Sequence, residues 1–479
     1  MSNNSGKNIL HTLIFTAFLF TYTIMLPFMD RASSAASGVL WAGMNDGTRV
    51  ILHYLPNITR VIGFISFAFS RRLLPGTGSR KNLLVIISIF FVSSVIVITI
   101  GVSPVLTLIS VFILAFTLGH LGGLMYYMMA TYMSANPFSG RMTGGALSLS
   151  ILIQFILQKA TGETGAVATA VILWFILIYI AFRPPDDYIL ENPLPYADET
   201  DRWIRSVRRQ MFIACIILLL ITVISIRTDM AFISMQLNDT IDIYSYPRLF
   251  MIPGYLLLGF AADSKRKSAF NTLFFAGILL AFPIGLVASA ESGYMALMSI
   301  YYFYASFYIF FLVFVFQRLA PKTTRPELWA SAGRYIAEIY TLITSVIFVH
   351  LHVDSGEKGI MLTALVTTVL VALVYVAISA MGFEPSISPD SAESTDAGAD
   401  PTSAQEQPQD LDSFLSSYPL TPREKEIAVI LLSTELTVKA IASDLGVSER
   451  SVFRYCASIY EKTGTGTRVG LMQAYMKGK

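Results

Sequence analysis

Four ionisable side chains stand inside otherwise apolar runs of this 479-residue chain: Arg60, Arg248, Arg334 and Glu338. Charge inside an apolar run of lipid-spanning length is costly, so such residues default to a functional reading. Arg334 and Glu338 are four apart on one helical face and can neutralise each other there. With Tyr126, Tyr127, Gln154 and Tyr335 as candidate neighbours, the four would line a polar site for a small-molecule ligand. A purely structural Arg334–Glu338 pair is the competing reading. A second set of chemically apt residues lies near the C-terminus. In a helix running from Ser448 to about Thr463, Arg450, Arg454, Ala457 and Glu461 project outward with Ser451 and Ser458 beside them, while Val452 and Ile459 point inward. Arginine is the side chain best suited to bidentate contact with guanine, and it also reaches phosphates. Other chemistry is poorly represented. Cys215 and Cys456 are far apart, His350 and His352 have a poor spacing for one helical metal site, and no glycine-rich phosphate loop occurs. No enzyme, cofactor or metal centre is expected.

The elements that position these residues are membrane spans. The chain is 54% hydrophobic and only 14% charged, unlike an average soluble domain. Lys and Arg total 34 against 32 Asp and Glu, so the net charge of +2 predicts no partner. Apolar runs long enough to cross a bilayer as helices fall near 9–29, 49–69, 82–101, 104–131, 143–161, 165–182, 211–235, 246–263, 269–289, 292–317, 328–351 and 359–382. The small-residue cluster from Ala32 to Ser37 follows an apolar run too long for a usual signal peptide, so the first run is expected to be an uncleaved span. Alternate loops are basic, at Arg71, Arg72, Arg80 and Lys81, then Arg141, Arg183 to Arg209, Lys265 to Lys267, and Arg318 to Arg325. The positive-inside rule therefore puts both termini in the cytoplasm of a multi-pass inner (cytoplasmic) membrane protein.

The spans repeat. Pro56-Asn57-Ile58-Thr59-Arg60-Val61-Ile62-Gly63-Phe64, ending in Arg71-Arg72, parallels Pro247-Arg248-Leu249-Phe250-Met251-Ile252-Pro253-Gly254-Tyr255, ending in Lys265-Arg266-Lys267. Two six-helix halves around a central loop at 183–210 resemble the major facilitator superfamily over residues 1–382. Gly259-Phe260-Ala261-Ala262-Asp263 before Lys265-Arg266-Lys267 resembles that family's basic loop motif, whereas Ser70-Arg71-Arg72 lacks the acid the motif carries.

From Glu384 to Asp412 there are eight acids and no Lys or Arg, so 383–417 reads as a disordered acidic linker with a typical reach of roughly 30 Å. Helical punctuation returns at Leu420. Thr421, Pro422 and Glu424 form a Thr-x-x-Glu start, followed by a helix to Ser433, a short helix from Val438 to Leu445, a turn at Gly446, the helix capped by Ser448, and a last helix from Arg468 to Met476. Leu420-Thr421-Pro422-Arg423-Glu424, Lys439-Ala440-Ile441-Ala442-Ser443-Asp444-Leu445-Gly446-Val447-Ser448-Glu449-Arg450-Ser451-Val452 and Ile459-Tyr460-Glu461-Lys462 resemble the LuxR-type regulators. The resemblance covers 418–479. It implies that the third helix reads the major groove and the fourth mediates homodimerisation. It further implies that Phe453, Arg454 and Ala457 face bases and that Lys439, Lys462 and Arg468 contact the backbone. Tyr455 stands where the family often has histidine.

The expected fold is therefore all-α: a polytopic bundle of about twelve spans with a small four-helix helix-turn-helix domain at its C-terminus. The expected function is a membrane-embedded one-component transcriptional regulator. Its partners would be double-stranded DNA, the lipid bilayer, a second copy of the chain and an unidentified small molecule. The alternatives are a facilitator-type transporter with an accessory tail, or an inert anchor for a constitutive regulator.

Overall fold

The computed structural model describes residues 2–74, 76–133, 136–182, 201–238, 240–264, 268–280, 294–350, 357–381, 411–433, 441, 445, 449–465, 471–472 and 474–475. Among them helices dominate and no strand occurs. The chain divides into two compact units, Met1–Glu393 and Ser394–Lys479.

The first unit contains α1 (Ser2–Leu40), α2 (Asp46–His53), α3 (Leu55–Leu73), α4 (Thr77–Ile100), α5 (Pro104–Met133), α6 (Ser139–Phe182) and α7 (Asp201–Leu237). It continues with α8 (Met251–Ala262), α9 (Ala269–Ile278), α10 (Tyr294–Leu319), α11 (Pro326–Trp329), α12 (Ala332–His350) and α13 (Glu357–Met381). Eight helices among the described residues are long and apolar enough to cross a membrane. Among the described residues, each of the twelve expected runs contains helix. Runs 143–161 and 165–182 are the two arms of α6, which parts at Gly162, where φ is 70° and only glycine sits without strain. Run 246–263 is a 3-10 turn, Tyr246–Phe250, leading into α8. Run 269–289 begins with α9, and residues 281–289 lie outside the described set. One boundary differs. α1 continues through the Ala32–Ser37 cluster, with Ser33 and Ala36 buried, because small residues pack closely without breaking a helix.

Lipid tails give no hydrophobic drive for helices to associate, so close packing must hold the bundle together. The repeat seen in the sequence reappears in that packing. A Cβ on Gly63 would lie 2.2 Å from the Phe116 carbonyl oxygen of α5, and one on its counterpart Gly254 would lie 1.8 Å from Ser306 Oγ of α10. Both glycines thus mark where a helix of one half touches its neighbour. Large rings fill the wider gaps. Phe91 stacks on Trp174 at 3.8 Å, and the buried Trp174 indole N–H is met by donating to Ser88 Oγ at 3.1 Å.

The second unit contains α14 (Leu411–Ser416), α15 (Pro422–Ser433) and α16 (Glu449–Lys462). Ile427, Val452, Ile459 and Leu471 are fully buried in its own apolar core, joined by Ile441 and Phe414. The stretch expected to be linker thus contains the helix α14, because Phe414 and Leu415 are buried and Phe414 packs edge-on against Tyr475. The rest of the expected acidic linker lies outside the described residues. So do the short second helix apart from Ile441 and Leu445, the Gly446 turn and the Ser448 cap.

Candidate functional sites

Three of the four expected intramembrane charges meet. Arg60 of α3 donates through Nε to both oxygens of Glu338 on α12, each at 2.9 Å. Arg334, one turn before Glu338, brings its Nε to 3.4 Å from the same carboxylate. Tyr22 of α1 closes the cluster: its hydroxyl donates to Glu338 Oε1 at 3.3 Å and accepts from Arg334 Nη2 at 3.2 Å. The rim of Arg60 is completed by Asn57, whose Oδ1 accepts from Nη2. Arg60 and Glu338 are 6% and 7% exposed, so these contacts operate with little water. A buried pair of this kind stands only because each charge is matched and its lone pairs are used.

Arg248 does not join that carboxylate. Its Nη1 donates to Gln154 Oε1 at 3.3 Å, and its guanidinium lies 5.2 Å from the Tyr244 ring. Of the expected neighbours, Gln154 thus serves Arg248, and Tyr126 lies within electrostatic range of Arg334. Tyr127 instead lies beneath Arg71, 4.3 Å from its guanidinium, and Tyr335 neighbours Cys215. Tyr22 and Asn57 escaped the sequence reading. A single tyrosine in an apolar run carries no periodic signal, and its partner is 316 residues away.

Further pairs join the two halves at the ends of the helices. Toward one end, Arg31, which also pairs with Glu163 of its own half at 2.5 Å, reaches Asp242 of the second half at 3.8 Å, and the Tyr244 hydroxyl donates to Asp30. Toward the other, Arg72 meets Glu327 at 2.6 Å, and Arg318 donates to Ser139 Oγ at 2.9 Å. Asp263 accepts from the backbone N–H groups of Gly140 at 2.7 Å and Arg141 at 2.8 Å, where a helix start favours negative charge. Arg72, with no acid beside it in sequence, thus finds one in Glu327 of the second half.

In the C-terminal unit the expected capping box is formed. The Thr421 N–H donates to Glu424 Oε2 at 2.7 Å, and the Glu424 N–H reaches Thr421 Oγ1 at 3.4 Å. The same carboxylate accepts from Ser458 Oγ at 2.6 Å and from Lys462 Nζ at 2.7 Å, tying α15 to α16. The Lys462 ammonium, the Ser458 hydroxyl and the Thr421 N–H together hold the Glu424 carboxyl down to about 2. Beside this clasp on α16, Arg454, Ala457 and Glu461 are exposed, as the helical stripe requires, and Ser451 is half-buried. Arg450 and Phe453 lie on α16, but their side chains are outside the described residues, as are Lys439 and Arg468 entirely. Arg423 donates through Nη2 to the Leu445 carbonyl at 3.1 Å.

Comparison with known proteins adds the following. Residues 418–475 match the family of bacterial regulatory proteins, luxR family. No curated protein matches the chain. Among solved structures, the chain is similar to the human organic anion transporter MFSD10, at 14% identity and TM-score 0.48, over 78% of this chain and 98% of that one. It is similar to an auto-inhibited POT family peptide transporter, at 10% identity and TM-score 0.47, over 78% and 96%. It is also similar to the E. coli fucose:proton symporter FucP, at 12% identity and TM-score 0.44, over 78% and 97%.

Proposed function

We propose that the protein is a membrane-embedded one-component transcriptional regulator. The observation that carries this reading is the luxR-family match over 418–475 on the same chain as a multi-pass helical bundle. In it the exposed face of α16 enters the major groove. Arg450, Ser451, Phe453, Arg454 and Ala457 meet base edges and nearby phosphates, and Lys439, Lys462 and Arg468 hold the backbone. The last helix pairs two tails into a homodimer, and both termini lie on the cytoplasmic side of the inner membrane. The bundle senses a small molecule through Arg60, Arg248, Arg334 and Glu338, and its two-state rearrangement alters how two tails pair.

Genome-wide crosslinking of the full-length protein tests this, beside an Arg450→Ala, Arg454→Ala double variant. Discrete sites that vanish in the variant are expected. Their absence, with the protein inserted in the membrane, overturns it. The repeated packing at Gly63 and Gly254 favours one second reading, a facilitator-type transporter with an accessory tail. That reading requires substrate flux in vesicles that survives deletion of residues 384–479.

A further inference from the structure

Around the Glu338 carboxylate positive charge outweighs negative. Arg60 and Arg334 share the single carboxylate of Glu338. Among the described residues Arg248 has no carboxylate within ion-pair distance and rests on the neutral amide of Gln154. Tyr255 lies within electrostatic range of both Arg248 and Arg334. The neighbouring acids Asp30 and Asp229 are each engaged by a tyrosine hydroxyl, from Tyr244 and Tyr301 respectively. A guanidinium surplus in a water-poor region attracts anions and repels cations.

The cluster is also a junction. Arg60 and Tyr22 come from the first half, Arg334 and Glu338 from the second. Arg60 Nε is placed equally, at 2.9 Å, from both Glu338 oxygens, so its geometry already suits a carboxylate group. Whatever takes Glu338's place on Arg60 removes one of the contacts that join the halves at this level, beside the hydrogen bond from Arg334 to Tyr22.

We propose that the Arg60–Arg334–Arg248 cluster binds a small organic anion through one carboxylate, which displaces Glu338 from Arg60 and so replaces the direct Arg60–Glu338 contact between the halves. This deepens the reading of the bundle as a sensor and rests on it. The tyrosine rings of Tyr22, Tyr126 and Tyr255 receive the ligand's apolar body. The carboxylate can belong to a water-soluble acid or to a fatty acid from the bilayer.

The test uses the full-length protein in lipid nanodiscs, with thermal stability read against benzoate and decanoate, and against benzamide, decanamide and benzylamine as matched controls. At least one carboxylate raises the melting temperature, and its amide and benzylamine do not. Benzoate acting alone identifies a soluble ligand source, and decanoate acting alone a lipid source. Arg60→Gln and Arg248→Gln abolish the shift. Glu338→Gln, which removes the competing carboxylate, tightens the apparent affinity by about tenfold, a change in a direction no folding defect produces. Absence of a carboxylate effect, an equal effect of the amide, or unchanged affinity in Glu338→Gln overturns the proposal. Promoter crosslinking in Glu338→Gln cells separates this from the parent reading. Altered occupancy without carboxylate binding sinks the anion site and leaves the sensor. Carboxylate binding with unaltered occupancy leaves the anion site and sinks the sensor.

Discussion

A single carboxylate, Glu424, organises the start of the C-terminal domain. It returns the capping contact of Thr421 and holds Ser458 and Lys462 of α16, so one side chain both begins a helix and fixes the angle of the next. Thr421→Ala removes one side of the capping box and should cost about 1 kcal/mol of domain stability. Urea unfolding of residues 411–479, which carry their own core, checks this by circular dichroism. The acid limb of stability follows from the same group. The folded Glu424 carboxyl titrates near 2, held below its ordinary range first by the Lys462 ammonium. Its contribution is therefore complete above the unfolded value of about 4.3 and is lost as pH falls through the folded value. Glu424→Gln should flatten the urea midpoint between those two pH values, whereas an unchanged slope would assign acid sensitivity to another carboxyl. At this scale the sequence was informative wherever partners are close along the chain. Thr421 with Glu424, and Arg334 with Glu338, were readable from helical spacing alone. Arg60 with Glu338 was not, because 278 residues separate them and nothing local encodes which buried acid meets which buried base.

Helix by helix, the points of closest contact are set by missing side chains. Arg60 stands three residues before Gly63, where α3 lies against α5, and a Cβ on Gly119 of α5 would come within 2.2 Å of the Arg60 carbonyl oxygen. The glycine contact therefore fixes the depth and rotation of the helix that carries Arg60. Gly63→Val should force α3 off α5, lower the melting temperature of the bundle by an overpacking cost of about 1–3 kcal/mol, and weaken any response that depends on Arg60. Thermal unfolding in nanodiscs measures the first effect. A melt equal to wild type would show that the helices part without penalty. The span pattern itself was legible, since length and apolarity are local properties of each run. The extension of α1 through the Ala32–Ser37 cluster and the helix α14 were not. Small residues and acids look like boundaries in composition, and only the burial of Ser33, Ala36, Phe414 and Leu415 reveals that neighbours have claimed them.

Across the membrane unit, ion pairs join the two halves at both ends and in the middle of the bundle, from Arg31 to Asp242, Arg72 to Glu327 and Arg60 to Glu338. Rocking one half against the other must break at least one such set, and the central pair is the costliest because little water can replace it. Replacing residues 1–382 with an unrelated cytoplasm-facing anchor should leave DNA crosslinking in place while abolishing any response to a stimulus. A retained response would place sensing elsewhere. Between Met381, the last residue of α13, and Leu411, the first of α14, lie residues 382–410. A covalent chain of that length spans at most roughly 100 Å. Under the proposed function, an operator is engaged only where the chromosome comes that close to the bilayer. Target genes would then be drawn to the cell periphery when bound, and regulation would be a matter of where a locus sits as much as of how tightly its sequence is read. A fluorescently marked target locus should move outward with the intact protein and remain internal in cells carrying the Arg450→Ala, Arg454→Ala variant.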